Sequence, residues 1–185
     1  NYDEPLPRAF IDDVLTGDAK ILWSGFNIWQ LAKTDADRQA FIARYGWDPA
    51  TSYIDSSDTV STVSYKSQEL TRSSDNTGGI IAPHIVDANK VEVLGKANCK
   101  NQSGQATDCA TIAQTTGSQF PWAVRSSGLT YVGEISLTYI SETDRYLAYA
   151  DIVDGLLSPQ GAAPTRKAAI RIEDLSVTAR GARAP

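Results

Sequence analysis

The apolar positions near the start of the chain recur at helical spacing. After Pro5 and Pro7 come Ala9, Phe10 and Ile11, then Val14 and Leu15. Proline is tolerated in a first turn, so this stripe predicts a helix from about Pro7 to Thr16, stopped by Gly17. Lys20-Ile-Leu-Trp-Ser24 follows as a short apolar run of the kind a buried strand shows, broken at Gly25. Asn27 is placed to cap helical chain through Trp29, Leu31 and Ala32. From Asp35 to Tyr45 the pattern is most regular, with Ala36, Ala40, Phe41 and Tyr45 on one face, and Gly46 ends it. Helix, glycine stop, buried strand, glycine turn, helix is the repeating unit of a parallel α/β sheet. The expected fold is therefore α/β with a parallel-sheet core, incomplete at its N-terminus. In such sheets ligands sit beyond the carboxyl ends of the strands, which here is Ser24 to Gln30. The alternative is that Gly25 only turns the chain while Trp23, Phe26 and Trp29 fill the core.

From Ser57 the period changes to two. Thr59 to Lys66 and Glu69 to Arg72 read as a hairpin turning near Lys66-Ser67-Gln68. Gly79 to Ala82 is a short strand stopped by Pro83, and Val91 to Ala97 is another. Phe120 to Arg125 and Leu129 to Glu134 form a further pair joined at Ser126-Ser127-Gly128. The stretch from about 57 to 127 is thus expected as a β-rich insertion in an α/β domain spanning 1–157. Ser141 begins a helix running from Arg145 to Leu157, with Asp144 three residues on as a variant capping box; the simple role for Glu142 and Asp144 is to complement the helix dipole. Residues 158–167 read as a linker. Ala168-Ala-Ile-Arg-Ile-Glu-Asp-Leu175 then begins a fresh strand, so 168–185 is expected to open a truncated second domain.

Composition narrows the function classes. With 42% hydrophobic and 21% charged residues the chain is an ordinary globular one. Its net charge of −5 gives no support to nucleic-acid binding, which needs clustered Lys and Arg. No run approaches the roughly 18 apolar residues of a membrane span. The chain starts at Asn1 and has no Met, from which a fragment of a longer protein is expected, the alternative being a processed chain. Cys99 and Cys109 flank a polar stretch of a length that a disulfide closes easily, adding about 2–3 kcal/mol. A disulfide implies an extracytoplasmic location; the alternative is two unpaired thiols. Asn101-Gln102-Ser103 matches a short glycosylation sequon.

Several motifs together resemble a group of bacterial polysaccharide-deacetylase-like, distant NodB-like proteins. They are Tyr2-Asp3-Glu4-Pro5-Leu6-Pro7, Trp23 to Leu31, Tyr131-Val-Gly-Glu134, Asp144 to Asp151 and Ile170-Arg-Ile-Glu-Asp-Leu175, in that order over most of residues 1–176. The resemblance implies an N-terminal α/β region ahead of a deformed deacetylase barrel. It makes Glu173 the counterpart of the catalytic base and Asp174 that of the metal ligand, although the family usually has Asp at both places. It also implies a zinc-type divalent metal in the parent protein. Those enzymes need two His ligands and a later His acid, whereas this chain has only His84. No cofactor is therefore expected in the chain itself. At the level of fold alone, the α/β part is similar to flavodoxin-like and glutamine-amidotransferase-like domains, whose nucleophilic Cys has no counterpart here.

The function expected is that of a non-catalytic extracytoplasmic module which binds or positions a cell-surface polysaccharide beside a C-terminal deacetylase-like domain. Two alternatives remain: a wall of a metal-dependent deacetylase active site, and a structural or protein-interaction module. If the strands ending at Ser24 and Glu134 are parallel, their ends bring Asp3, Asn27, Trp29, Glu134 and Arg145 to one cleft. Trp29 would face a sugar ring, while Asp3, Asn27 and Glu134 bond its hydroxyls. The competing reading has Arg145 pairing with Glu134 or Asp3 to hold the sheet edge.

Overall fold

The computed structural model describes residues 5–50, 53–55, 59–72 and 78–157. Helix α1 spans Arg8–Thr16 and strand β1 Ile21–Ser24, followed by a 3-10 turn at Ile28–Ala32 and helix α2 at Asp35–Tyr45. The periodicity located these four closely. Thr34 caps α2 by accepting the Asp37 N–H at 3.1 Å, and Gly46, left-handed at φ 76°, closes it. Asn27 is itself left-handed at φ 63° and makes no side-chain cap, so the 3-10 turn begins without the expected capping bond.

The strands that follow are β2 Trp47–Asp48, β3 Tyr53–Asp55, β4 Val60–Tyr65, β5 Gln68–Thr71, β6 Gly79–Ile81, β7 His84–Ile85, β8 Glu92–Cys99, β9 Gln119–Ser126 and β10 Leu129–Val132. A single-turn helix α3, Ala110–Ala113, precedes β9. A second 3-10 turn at Leu137–Tyr139 leads into α4, Glu142–Leu157.

The parallel α/β core expected from the sequence is not what forms. A curled six-stranded sheet runs in the order β1-β10-β9-β8-β4-β5, and within it β1 and β10 alone run parallel. Four of the six strands come from the stretch read as an insertion; that stretch is the body of the sheet. The physical reason lies in the turns. Parallel neighbours need a long crossover, but Lys66 and Ser127-Gly128 adopt positive φ in two-residue loops that reverse the chain tightly. Each such turn forces an antiparallel pair. Register shifts at Gly95 in β8 add to the curl. A Cβ at Gly95 would lie 2.9 Å from the Trp122 ring, so only glycine lets the two strands approach there.

Each face of the sheet carries a core, although β5 and parts of β4 and β8 stay exposed on one side. On one side Val63, Tyr65, Ala97, Phe120, Trp122 and Val132 pack with Ala148 and Ile152 of α4. On the other, Val124, Leu129 and Tyr131 meet Ile11 and Val14 of α1, Phe41 and Tyr45 of α2, and Trp47. Tyr45 Oη donates to the Val14 carbonyl, joining the two helices. Ser141 does stand before α4, and its hydroxyl donates to Asp144 at 2.9 Å; Asp144 also accepts the Thr71 N–H at 2.8 Å, which ties β5 to the helix. That backbone bond chiefly holds the Asp144 carboxyl below its ordinary range.

Cys99 and Cys109 are bonded, and both are buried in the α4-side core. The staple therefore fastens the end of β8 to the start of α3 inside the core and closes the largely exposed loop between them. Thiol labelling of denatured, unreduced protein should find no free cysteine. Replacing both cysteines with serine should lower stability by about 2–3 kcal/mol in a urea titration. Two labelled thiols per chain would contradict this assignment.

Candidate functional site

Because β1 and β10 are parallel, their carboxyl ends lie side by side, with Ser24 in register with Val132. The chain past these ends is bound tightly together. Gly25 N–H donates to the Val132 carbonyl at 2.7 Å, and Ser24 Oγ to the Glu134 carbonyl at 3.0 Å. Gly25 has φ 41°, and a Cβ there would stand 2.5 Å from the Glu134 carbonyl oxygen. Glycine is required on both counts. Ser24 and Glu134 are thus brought together.

The Glu134 side chain is wholly buried. Arg72 Nη2 donates to its Oε1 at 2.5 Å and Trp122 Nε1 to its Oε2 at 2.9 Å. Arg72, at the end of β5, thus supplies the guanidinium that meets Glu134. Burial pushes the Glu134 carboxyl up to about 7, against the opposing pull of Arg72 and Trp122. Tyr149 of α4 lies nearby, its hydroxyl buried without a hydrogen bond of good geometry among the described residues, although Ser24 is close enough to favour its ionised form slightly. Burial dominates and raises that phenol well above its ordinary range.

Of the other expected site residues, the structure describes Asn27, Trp29 and Arg145. Asn27 is half-buried, and its Oδ1 finds no hydrogen-bond partner among the described residues. Trp29 is half-buried against the α1–α2 side and meets Phe26 edge-on at 5.9 Å. Arg145 lies on α4 with its guanidinium 5.7 Å from the centre of the Tyr146 ring. Asp3, Glu173 and Asp174 fall outside the described residues, as do residues 158–185 with the expected linker and second domain. His84 is exposed on β7, opposite Asp48.

The same edge carries an aromatic surface. Phe10 of α1 is 42% exposed and Phe26 38%. Trp23 lies 6.0 Å from Phe10 and donates through Nε1 to the Phe26 carbonyl at 2.8 Å. Phe10 with Trp23, and Phe26 with Trp29, therefore form two ring pairs beside the end of β1, linked by the Trp23 bond to the Phe26 backbone. Asp13, exposed one turn beyond Phe10 on α1, shares its side of the helix. Phe10 was legible only as part of a helical stripe, and its exposure had no signal in the pattern. Arg72 and Trp122 were likewise unmarked, because their role depends on a contact spanning 62 residues in one case and 12 in the other.

Among the described residues no group of three or more His, Cys, Asp or Glu could hold a metal ion, and no helix is long and apolar enough to cross a membrane. No protein-family model, curated protein or solved structure matches the chain.

Proposed function

We propose that this chain is a non-catalytic module of an extracytoplasmic polysaccharide-deacetylase-like protein, and that it binds or positions a cell-surface glycan for a C-terminal deacetylase-like domain. The observation that supports this is the two ring pairs, Phe10 with Trp23 and Phe26 with Trp29, at the carboxyl end of the parallel strands, with two of the rings exposed. Exposed aromatic rings offer flat apolar faces to the C–H faces of sugar rings, and Asp13 lies within reach of hydroxyls beside them. The buried disulfide is compatible with an oxidising compartment. Any zinc chemistry belongs to the parent protein, with Asp174 as ligand and Glu173 as base.

Intrinsic tryptophan fluorescence of the full chain, titrated with a panel of bacterial surface oligosaccharides, tests the reading. A saturable change is expected with at least one member. Phe26→Ala and Phe10→Ala should each weaken that binding about tenfold while far-UV circular dichroism stays unchanged, since both rings are exposed; tenfold corresponds to about 1.4 kcal/mol. No response from any oligosaccharide would overturn the glycan reading in favour of a structural module.

A further inference from the structure

Beyond Val132 the parallel pair changes one of its neighbours. Up to that point β10 lies between β1 and β9. Past it, Ile81 N–H donates to the Gly133 carbonyl at 2.8 Å and Ile135 N–H to the Gly79 carbonyl at 3.1 Å, while Ile80 bridges Glu134. Strand β6 thus takes the place of β9, and β3 pairs with β6 in turn. The carboxyl edge therefore runs from Gly25 through residues 133–135 and β6 to β3. That is three strand spacings, or roughly 14 Å across at ~4.8 Å each.

Side chains paired directly across two strands share a face. Ile54 and Ile80 enter the α4-side core, whereas Ile81 belongs to the core on the α1–α2 side. Tyr53 is paired with Ile81 and so lies on the α1–α2 side, together with Trp23, Trp29 and Ile135, which pack against that core. Tyr53 is 61% exposed, yet its ring is held. A Cβ on Gly79 would collide with that ring and stand 2.8 Å from Ile135 Cδ1, so the ring and Ile135 converge over Gly79. Glycine is what lets the ring lie down on the strand. At the other end Gly25, the residue before Phe26, comes so close that its Cβ would stand 2.7 Å from Ile135 Cα. Ile135 therefore joins the Phe26 end of the edge to the Tyr53 end. Asp55, two residues past Tyr53, is exposed on the same side.

We propose that Tyr53 is a second sugar platform, and that the glycan is a linear run of several sugars crossing this edge from Phe26 over Ile135 to Tyr53, with Asp55 accepting from its hydroxyls. The inference rests on the glycan reading above and adds the ligand class. One sugar ring is too short to touch both ends, so the surface selects an oligosaccharide chain over a single sugar. A tyrosine already held in place, with one face open, loses little conformational entropy on binding. A ring that only shielded Gly79 from water would be replaceable by any apolar side chain of similar size.

Isothermal titration calorimetry of the full chain tests this with linear oligomers of N-acetylglucosamine, of glucose and of galacturonic acid, each from disaccharide to hexasaccharide. At least one series should bind, its hexasaccharide about tenfold more tightly than its disaccharide. Tyr53→Leu still covers Gly79. It should remove that gain while leaving the disaccharide affinity and the urea midpoint unchanged, and Tyr53→Phe should keep the gain. A hexasaccharide that binds Tyr53→Leu as it binds wild type, or an affinity independent of length, would overturn the Tyr53 platform and leave the glycan reading standing. No binding by wild type in any series would overturn both. The ring protons of Tyr53 give a reading in the wild type itself: their NMR signals should shift on saturation with the hexasaccharide, and unmoved signals would refute the contact.

Discussion

Arg72→Met should destabilise the protein by about 3–5 kcal/mol at pH 8, because it strands a buried carboxylate. The Arg72 side chain is 9% exposed and that of Glu134 is not exposed at all. The pair joins the end of β5 to the chain beyond β10, and Trp122 holds the second carboxylate oxygen. The cost should shrink toward pH 4.5, where Glu134 can take up a proton and leave no charge uncompensated. In the wild type the sign follows from the same burial. The folded carboxyl is raised from 4.5 to about 7, so between those values the folded state binds more protons than the unfolded state. Its contribution to stability is complete below 4.5 and is lost as pH rises through about 7. At 1.36 kcal/mol per pH unit the loss amounts to about 3 kcal/mol. Glu134→Gln keeps the shape and an acceptor but cannot titrate. Relative to wild type it should therefore gain stability progressively from pH 4.5 to 8. Urea denaturation of both proteins across that range measures the difference directly, which cancels the opposite slopes of acid-range groups such as Asp37 and Asp144. A flat difference, or an Arg72→Met cost under about 1 kcal/mol, would show that the pair is not what holds this edge.

Trp47→Ala should cost about 3–5 kcal/mol, the range for deleting a buried Trp or Phe. Trp47 is completely buried, stacked on Tyr131 at 4.9 Å and met edge-on by Phe41 at 4.8 Å. Its Nε1 donates to Ser126 Oγ at 3.2 Å, so truncation also leaves a buried hydroxyl without that donor. It is the ring that joins α2 to the sheet. Trp47→Phe should recover more than half of the loss, because the stacking surface largely returns while the indole N–H does not. Amide exchange would localise the effect: α2 should open at lower free energy than β9 in the alanine variant. Equal protection of α2 and β9, with an unfolding midpoint near that of wild type, would place the keystone of this face elsewhere.

These two contacts mark the limit of what could be read in the chain. The helix α2 and its Gly46 stop, the α1 stripe, the hairpin at Lys66-Ser67, the turn at Ser127-Gly128 and the Cys99–Cys109 bond all follow from residues within about ten positions of one another. Short-range spacing, capping and turn chemistry act at that distance, and they left a visible pattern. Trp47 carried no such pattern, standing alone after a glycine, and Arg72 sat at the edge of a small polar run.

Sheet order is a different kind of property. The Ile21 run beside its glycine turn announced a strand with a parallel neighbour, and β1 does have one in β10. What it could not announce was that the chain between them, read as an insertion, would build the rest of the sheet through antiparallel pairs. Strand identity and local reversals were determined by the sequence itself, since alternation, glycine and disulfide spacing are local restraints. Which strands became neighbours, that Glu134 was enclosed by Arg72 and Trp122, and that Phe10 and Phe26 emerged at one exposed edge were decided only in the tertiary structure. Those outcomes depend on packing a core on each face of one curled sheet at once, and no single segment encodes that requirement.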